Sequence, residues 1–335
     1  MVEVPPNRLS QTEDRLSMLV PLRDRARGRW ASLLPMIGVD SRFLDGRKNG
    51  PCPMCGGKTR FRFDDKEGRG TWICNHCGAG DGPDLAMRVL RIDFRELAEQ
   101  LEPLIGDAPV RRVPDERSPE ECRASMNRLW SEARLIQPDD PVARYLTARL
   151  GLTTFPRCLR TVERLRYQDD YPSYHPAMVA KVSGPDGEAA TLHRTYLTHE
   201  GRKAPVEVPR RLMRGKVPDG SAIRLFPPAE RLGIAEGIET ALAAARLFNM
   251  PVWAATNSTM LAKWQPPDGA REIVVFGDAD AAFGGQAAAY ALAHRLAVRD
   301  RTVRVELPPR VGSDWADVLE AERSAKRARR LEIVA

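Results

Sequence analysis

Two pairs of cysteines have the spacing of metal ligands. Cys52-Pro-Met-Cys55 and Cys74-Asn-His-Cys77 are eighteen residues apart, which gives the pattern C-x2-C-x18-C-x2-C. Structural zinc is held tetrahedrally by four soft ligands, and two tight Cys-x-x-Cys turns supply them in pairs. The pattern predicts one structural Zn²⁺ with these four thiolates as ligands and His76 as a non-ligating residue. A redox role for the cysteines is the alternative, and the presence of two pairs disfavours it.

Acidic residues in the last hundred positions form a second candidate site, made of Glu236, Asp278, Asp280, Asp314 and Asp317. Crowded carboxylates repel one another unless cations neutralise them. Oxygen ligands without cysteine or histidine favour Mg²⁺ or Mn²⁺, and such ions can activate a 3′-hydroxyl and neutralise a triphosphate in an in-line displacement. Any one of these residues could be a turn former or helix cap. The ordered set Glu-Gly, Asp-x-Asp and Gly-Ser-Asp favours metal binding.

Short apolar runs that alternate with Ala-rich runs must position these acids. The runs at residues 231–235, 251–255, 272–276 and 302–306 are typical of strands, and those from Ile238 and from Gln286 to Ala297 of helices. This alternation predicts a parallel α/β sheet. Groups at the carboxyl ends of parallel strands converge in one crevice, so the acids are expected to lie together.

A pair of short strands must position the cysteines. Residues 59–63 and 70–74 alternate in the manner of strands and are joined by a turn-like segment, which predicts a zinc ribbon. Cations beside aromatic rings suit single-stranded nucleic acid, so Arg60, Arg62 and Trp72 are candidate contacts. Phe61 and Phe63 serve equally well as the core of the ribbon.

Composition sets the broad class of the protein. The chain has 335 residues, 42% hydrophobic and 29% charged, which is enough for two or three globular domains. Its net charge of +7 is a mild bias toward polyanionic partners. No apolar run is long enough to cross a bilayer, and residues 1–16 have no apolar signal-peptide core. We therefore expect a cytoplasmic protein without a membrane partner.

The acidic segments resemble the Toprim family, which bacterial primases, topoisomerases and some nucleases share. Ile234-Ala-Glu-Gly237 is similar to its glutamate motif, Phe276-Gly-Asp-Ala-Asp280 to its DxD motif and Gly312-Ser-Asp-Trp-Ala-Asp317 to its third acidic motif. The resemblance implies acid–base chemistry or metal binding by Glu236, magnesium binding by Asp278 and Asp280, and assistance from Asp314 or Asp317. Many bacterial primases have an aspartate where this chain has Thr240.

The cysteine region resembles the zinc-binding domain of satellite-phage and plasmid primases. The resemblance is carried by Asn49–Phe63 and Gly70–Gly82, by the upstream Gly28-Arg-Trp30 and by the downstream Asp84-Leu-Ala-Met87. A zinc ribbon followed by a Toprim domain is the order found in primases. It implies synthesis of short RNA primers on a single-stranded DNA template from nucleoside triphosphates, for replication of a phage, plasmid or integrated element.

The two resemblances imply a multidomain α+β and α/β chain. Its expected parts are a zinc-ribbon domain (1–105), a linker and helical segment (106–150), a basic α+β middle region (151–229) and a Rossmann-like Toprim sheet flanked by helices (230–335). The middle region corresponds to the part of primases that grips template and nucleotides. Its candidate phosphate contacts are Arg194, Lys203, Arg210, Arg211, Lys216 and Arg224, although a solvated basic surface explains any one of them equally well.

Other functions remain open at this point. A Toprim nuclease would use the same carboxylates for phosphodiester hydrolysis, and a non-catalytic DNA-binding accessory protein would use both folds as scaffolds. No G-x-x-x-x-G-K-[ST] phosphate loop occurs in the sequence, so the expected helicase partner is a separate protein.

Overall fold

The structure, a computed structural model, describes residues 21–46, 49–109, 118–168 and 172–334, with side chains up to residue 329. The N-terminal stretch 1–20 and positions 110–117 of the predicted linker lie outside the described residues. The chain divides into two compact units, residues 1–116 and 117–335. Each unit has its own architecture and its own core.

The first unit is a zinc ribbon with helices on either side of it in the sequence. Its sheet is antiparallel in the order β1-β2-β3-β4, and 3-10 turns lie at Ser41–Phe43 and Lys66–Gly68. The strands are β1 (Gly50–Cys52), β2 (Gly56–Phe63), β3 (Trp72–Cys74) and β4 (Gly78–Gly80), and the helices are α1 (Leu22–Arg25), α2 (Trp30–Met36), α3 (Gly82–Leu90) and α4 (Phe94–Leu101). The predicted ribbon is confirmed.

Aromatic side chains make the core of the first unit. Trp30, Phe61, Phe63 and Trp72 are all at most 2% exposed, and the rings of Phe61 and Trp72 stack with centroids 5.8 Å apart. Glycine is required where α3 meets α2, because a Cβ on Gly82 would lie 2.1 Å from the Trp30 ring. The ribbon and its helices therefore share one small core.

The second unit begins with an antiparallel sheet in the order β5-β6-β7-β8-β9. Two helices precede its long strands, and each begins with proline at its first turn, where the missing N–H costs nothing. The elements are α5 (Pro119–Glu132), β5 (Arg134–Leu135), α6 (Pro141–Leu150), β6 (Leu159–Tyr167), β7 (Ser173–Ser183), β8 (Ala189–Tyr196) and β9 (Arg210–Leu212).

A parallel sheet in the order β11-β10-β12-β13 completes the second unit. All four strands coincide with the predicted apolar runs, so the predicted α/β sheet is confirmed. Its elements are β10 (Arg231–Ala235), α7 (Ile238–Phe248), β11 (Val252–Ala254), α8 (Ser258–Lys263), β12 (Glu272–Phe276), α9 (Gly284–Ala297), β13 (Thr302–Glu306) and α10 (Trp315–Val334). None of the helices in the described part of the chain is long and apolar enough to span a membrane.

One hydrophobic core joins the two sheets of the second unit. Leu146 of α6, Met178 of β7, Ala241 of α7 and Phe276 of β12 belong to the same buried cluster. Isolated bridges add backbone hydrogen bonds, such as Ile223 N–H to the Ala254 carbonyl. The helices α5 and α6, which lie in the predicted segment 106–150, are part of the second unit.

Candidate functional site

The four predicted cysteine ligands meet at one end of the ribbon. Their Sγ atoms all lie within 4.8 Å of one another, with Cys52–Cys77 at 3.9 Å and Cys55–Cys74 at 3.8 Å. Zn–S bonds of about 2.3 Å in a tetrahedron require sulfur–sulfur distances of about 3.8 Å. The thiol cage therefore has the size that a zinc ion needs.

Backbone N–H groups point at the sulfurs of both Cys-x-x-Cys turns. Met54 N lies 3.4 Å from Cys52 Sγ, and the N–H groups of His76 and Cys77 each lie 3.4 Å from Cys74 Sγ. Burial alone would raise the pKa of Cys74, but these N–H groups outweigh it and lower that pKa to about 7. The second turn thus favours the thiolate of Cys74, whereas burial raises the pKa of Cys52.

The ribbon surface departs from one prediction. Trp72 is 1% exposed, and its Nε1 donates to the Asp81 carbonyl at 3.1 Å. Its ring belongs to the core and cannot stack on a base, so its predicted role as a nucleic-acid contact is wrong. Arg60 and Arg62 are half-buried, and Arg62 lies 3.4 Å from Asp64.

The first two acidic motifs follow neighbouring strands. β10 and β12 pair in parallel with Ala235 opposite Phe276, so Glu236 and Asp278 both leave the sheet at the same edge. Both carboxyl groups are half-buried. Asp278 Oδ1 is buried and has no hydrogen-bond partner among the described residues.

The loop after β12 holds Asp280 beside the start of α9. Asp280 Oδ2 accepts a hydrogen bond from Gly285 N at 2.8 Å, and its carbonyl accepts from Gln286 Nε2 at 3.0 Å. Gly285 is needed there because a Cβ would lie 2.7 Å from the Asp278 carbonyl oxygen. The helix start and the Asp-x-Asp loop therefore pack directly on one another.

The third acidic motif is tied to this loop and begins α10. Gly312 N donates to the Ala279 carbonyl at 2.6 Å, and Ala279 N donates to the Ser313 carbonyl at 3.2 Å. Asp314 and Asp317 form a capping box, each accepting the other's backbone N–H, at 2.8 and 3.0 Å. Asp314 is thus the N-cap of α10, and the Asp317 carboxylate holds the backbone of Asp314 in place.

Burial and mutual repulsion perturb the acids. Burial first, and then the charges of Glu236, Asp314 and Asp280, raise the pKa of Asp278 to about 7. Burial and the charge of Asp280 also raise the pKa of Glu236. The charges of these carboxylates therefore act on one another, and ionising all of them costs free energy unless a cation is present.

The donor set fits a hard divalent cation. The oxygen of Asp278 that lacks a partner lies among further carboxylates, and no cysteine or histidine joins them. Within the described residues no three acidic side chains bring their oxygens within 4.8 Å of one another, unlike the cysteines. Mg²⁺ usually keeps several waters, so it does not require so tight a cage.

The predicted basic residues fall into two groups. Arg210 and Lys203 lie beside acids. Arg210 Nε is 3.8 Å from Glu239 Oε1. Burial and the charge of Arg210 lower the pKa of Lys203, and the charges of Glu239 and Asp314 partly offset this. Three other arginines donate hydrogen bonds to backbone carbonyls: Arg194 to Leu212 (2.9 Å), Arg211 to Gln168 (2.6 Å) and Arg224 to Gly184 (2.8 Å). Lys216 is exposed.

Sequence reasoning missed four residues around the acids. Glu239 is buried and accepts a hydrogen bond from Tyr145 at 2.5 Å. Arg149 donates to Asp317 at 2.6 Å and contacts Asp314 at 3.3 Å. His193 is buried, which lowers its pKa to about 4. A glutamate just before the Ala-rich run of the helix Ile238–Phe248 was a signal for Glu239, whereas no neighbouring residues in the sequence indicate a role for the other three.

Loss of zinc should unfold the first unit. In Cys74→Ser/Cys77→Ser we expect zinc content to fall from one ion per chain to none, because two ligands are missing and structural zinc contributes on the order of 10 kcal/mol to folding. Metal analysis and the near-ultraviolet circular dichroism of Trp30 and Trp72 would measure this. Cys122→Ser, outside the cage, should keep both signals, and a zinc-free wild type would contradict the assignment.

Asp278→Asn should stabilise the protein when no divalent cation is added. Because the pKa of Asp278 is raised to about 7 by folding, the folded state binds a proton that the unfolded state releases, so the free energy of unfolding falls as pH rises from about 4 to about 7. At pH 8 the variant should gain up to about 4 kcal/mol, and this gain should shrink toward pH 4.

Urea denaturation of wild type and variant at pH 8 and pH 5.5 would measure the effect. The exposed Asp268→Asn is the matched control and should change nothing. A gain that is equal at both pH values would contradict the electrostatic origin of the effect.

Solved primase structures are similar to this chain at low sequence identity. The primase fragment of the bacteriophage T7 primase-helicase is 13% identical, with 84% of this chain and 98% of that chain covered and a TM-score of 0.38. The Aquifex aeolicus primase (zinc-binding and RNA polymerase domains) is 16% identical, with 90% and 82% covered and a TM-score of 0.41. The DnaG primase catalytic domain bound to single-stranded DNA is 14% identical, with 63% and 78% covered and a TM-score of 0.41.

Family models assign the domains directly. Residues 47–83 match the zinc-binding domain of primase-helicase, residues 231–325 match the Toprim domain, and residues 120–225 match a domain of unknown function (DUF7146). The zinc model covers the cysteine cage, and the Toprim model covers the parallel sheet with all the acidic motifs. The chain therefore has a Toprim domain and, N-terminal to it in the sequence, a zinc-binding domain of the primase-helicase kind.

Proposed function

We propose that this chain is a DNA primase that synthesises short RNA primers on single-stranded DNA. The observation that carries the proposal is the group of interacting carboxylates at the carboxyl ends of β10 and β12, with Arg210 and Lys203 beside it. Nucleotidyl transfer requires carboxylates that bind metal cations and basic side chains that bind phosphates. A primase-type domain pair supports the same function.

Glu236, Asp278 and Asp280 would hold Mg²⁺ or Mn²⁺, with Asp314 nearby. The bound ion would lower the pKa of the attacking 3′-hydroxyl and neutralise the phosphates. The side chains of this protein prepare the site. Asp278, whose pKa is about 7, would hold the cation as a carboxylate, and the Gly285 N–H keeps the Asp280 carboxylate in place. Asp317 is held by Arg149 and accepts the backbone N–H of Asp314, the N-cap of α10, so we assign Asp317 a positioning role.

Arg210 and Lys203 would bind the phosphates of the incoming nucleotide. The charge of Arg210 acts on Glu236 and Asp278, which locates the guanidinium at the acidic site. A polyphosphate between these bases and the acid-bound cation would meet positive charge on both sides. Lys203 would add to phosphate binding. The positive charges of Lys203 and Arg210 repel each other, and an anion between them reduces that repulsion.

The zinc-binding domain would read the template, with Arg60 and Arg62 as its contacts. Nucleoside triphosphates and a replicative helicase, as a separate protein, are the further proposed partners. Free thiols at all the described cysteines suit a reducing compartment such as the cytoplasm. Service to a phage, plasmid or integrated element rests on the resemblance of the cysteine region to primases of such elements.

Primer synthesis on a mixed-sequence single-stranded DNA with labelled nucleotides and Mg²⁺ or Mn²⁺ tests the proposal. Wild type should give short RNA products, and Asp278→Ala/Asp280→Ala should lose them by at least about a hundredfold because the cation ligands are gone. Cys74→Ser/Cys77→Ser should reduce or misplace initiation. Asp268→Asn should behave as wild type.

Two other outcomes would replace the proposal. Aspartate-dependent cutting of the template without RNA products would identify a Toprim nuclease. Binding of the DNA that is unchanged by loss of the aspartates, with no product of either kind, would identify a non-catalytic accessory protein.

A further inference from the structure

A buried carboxylate lies directly behind the acidic site and takes no part in the proposed chemistry. Glu239 is 5% exposed, on the first turn of α7 three residues after Glu236. Burial opposes its ionisation, but Arg210, the Tyr145 hydroxyl and Lys203 outweigh burial and keep the pKa of Glu239 below its ordinary value. Burying a charge costs free energy even when the charge is paired, so the presence of an ionised Glu239 here calls for an explanation.

The contacts of Glu239 connect three separate elements. Tyr145 of α6 donates to Glu239 Oε1 at 2.5 Å, and Arg210 of β9 lies 3.8 Å from the same oxygen. Arg210 also lies over Gly237, where a Cβ would be 3.7 Å from its Nη1 and 3.6 Å from Glu239 Oε2. The guanidinium is thus held between the buried carboxylate and the residue that follows Glu236.

Arg210 keeps a free side for a ligand. Its side chain is 44% exposed, while that of Glu239 is only 7% exposed. An arginine that is anchored from behind and open in front loses less rotamer freedom when an anion binds. Arg194, Arg211 and Arg224, by contrast, have hydrogen bonds to backbone carbonyls.

We propose that Glu239, fixed by Tyr145, is a positioning residue that holds Arg210 toward the acidic site for binding the phosphates of a nucleoside triphosphate. This inference rests on the proposed function and adds a residue to it. A positioning role and a purely electrostatic effect of Glu239 predict opposite changes in nucleotide affinity when its charge is removed. A negative charge near a polyphosphate should weaken binding through space, so removing that charge should tighten it, whereas loss of positioning should weaken it.

Isothermal titration of the full chain with ATP and Mg²⁺ tests this. Arg210→Ala should raise the Kd for ATP by about tenfold or more, the effect of a charged hydrogen bond. Glu239→Gln, which keeps size and the oxygen that accepts from Tyr145, should raise the Kd several-fold, and Tyr145→Phe should do so less. The double variant Glu239→Gln/Arg210→Ala should match Arg210→Ala alone, because Glu239 acts through Arg210.

The controls separate positioning from folding. Arg271→Ala removes an arginine that is 81% exposed and should leave the Kd unchanged. Thermal melting reports any loss of fold, and Tyr145→Phe gives a second, milder change if Glu239→Gln melts early. An unchanged or lower Kd in Glu239→Gln, or additive effects in the double variant, would overturn the inference alone. No ATP binding by wild type would overturn the proposed function and this role with it.

A second, independent feature is an exposed ring in the Asp-x-Asp loop. Phe283 is 69% exposed, and its backbone is left-handed with φ 59° and ψ 17°. A bulky residue rarely adopts this conformation, and exposing a phenyl ring gives up burial energy. Strained residues persist where surrounding contacts fix them, and they concentrate at functional sites.

The contacts of Phe283 fix it next to the acids. Its N–H donates to the Asp280 carbonyl at 3.1 Å, and its own carbonyl accepts from Ala287 at 2.9 Å as α9 begins. The ring therefore projects into solvent three residues from a proposed metal ligand. We infer that Phe283 stacks on a nucleobase of the single-stranded DNA bound at the acidic site.

Fluorescence anisotropy with two labelled oligonucleotides of equal length tests the stacking. One is oligo-dT, and the other has the same phosphates but abasic positions. Phe283→Ala should weaken oligo-dT binding by about tenfold, as expected for one lost stack, and leave the abasic oligonucleotide unaffected. Phe283→Trp should retain binding, and Tyr290→Ala, a 56% exposed aromatic farther along α9, should change neither.

The melting temperature of a glycine variant distinguishes a binding role of Phe283 from a structural one. If the ring stabilised the fold, its removal would lower the melting temperature. Phe283→Gly relieves the left-handed strain, so it should melt no lower than wild type while binding oligo-dT weakly. Equal weakening with both oligonucleotides, or no weakening, would overturn the inference. Weakened ATP binding with intact oligonucleotide binding would assign the ring to the incoming nucleotide instead. Failure of wild type to bind either oligonucleotide would overturn the proposed function.

Discussion

The main constraint on the second unit is the repulsion between carboxylates that lie at one edge of its parallel sheet. The fold places Glu236 and Asp278 at adjacent strand ends, half out of water, where burial and repulsion raise the pKa of both. Stability and cation binding are thus opposed in the same residues. In the proposed function, the charges that destabilise the ligand-free protein are the ones that would bind a cation.

Two arginines from outside the Toprim domain balance part of this acidic charge. Arg149 reaches Asp314 and Asp317 from α6, and Arg210 reaches Glu239 from β9. Both arginines belong to the segment matched by the domain of unknown function. That segment therefore completes the electrostatics of the acidic site, which gives it a physical role in addition to any contact with a template.

The sequence predicted what depends on local pattern. Strand and helix alternation located all four parallel strands, and cysteine spacing located the thiol cage. Contacts between distant residues were out of reach: Tyr145 and Glu239 are 94 positions apart, and nothing near either predicts their hydrogen bond. Trp72 was misassigned for a related reason. Alternation marks one face of a short strand as different from the other, but only tertiary packing decides which face is buried.

The core shared by the two sheets of the second unit bears on how such genes can recombine. The family models meet between residues 225 and 231, which suggests a natural point for exchange of coding segments. At that junction, however, Ile223 pairs with Ala254, and Arg246 donates to the Leu150 carbonyl at 2.6 Å. A crossover there would join halves whose buried surfaces did not evolve together. Residues 117–335 should therefore be inherited as a single block.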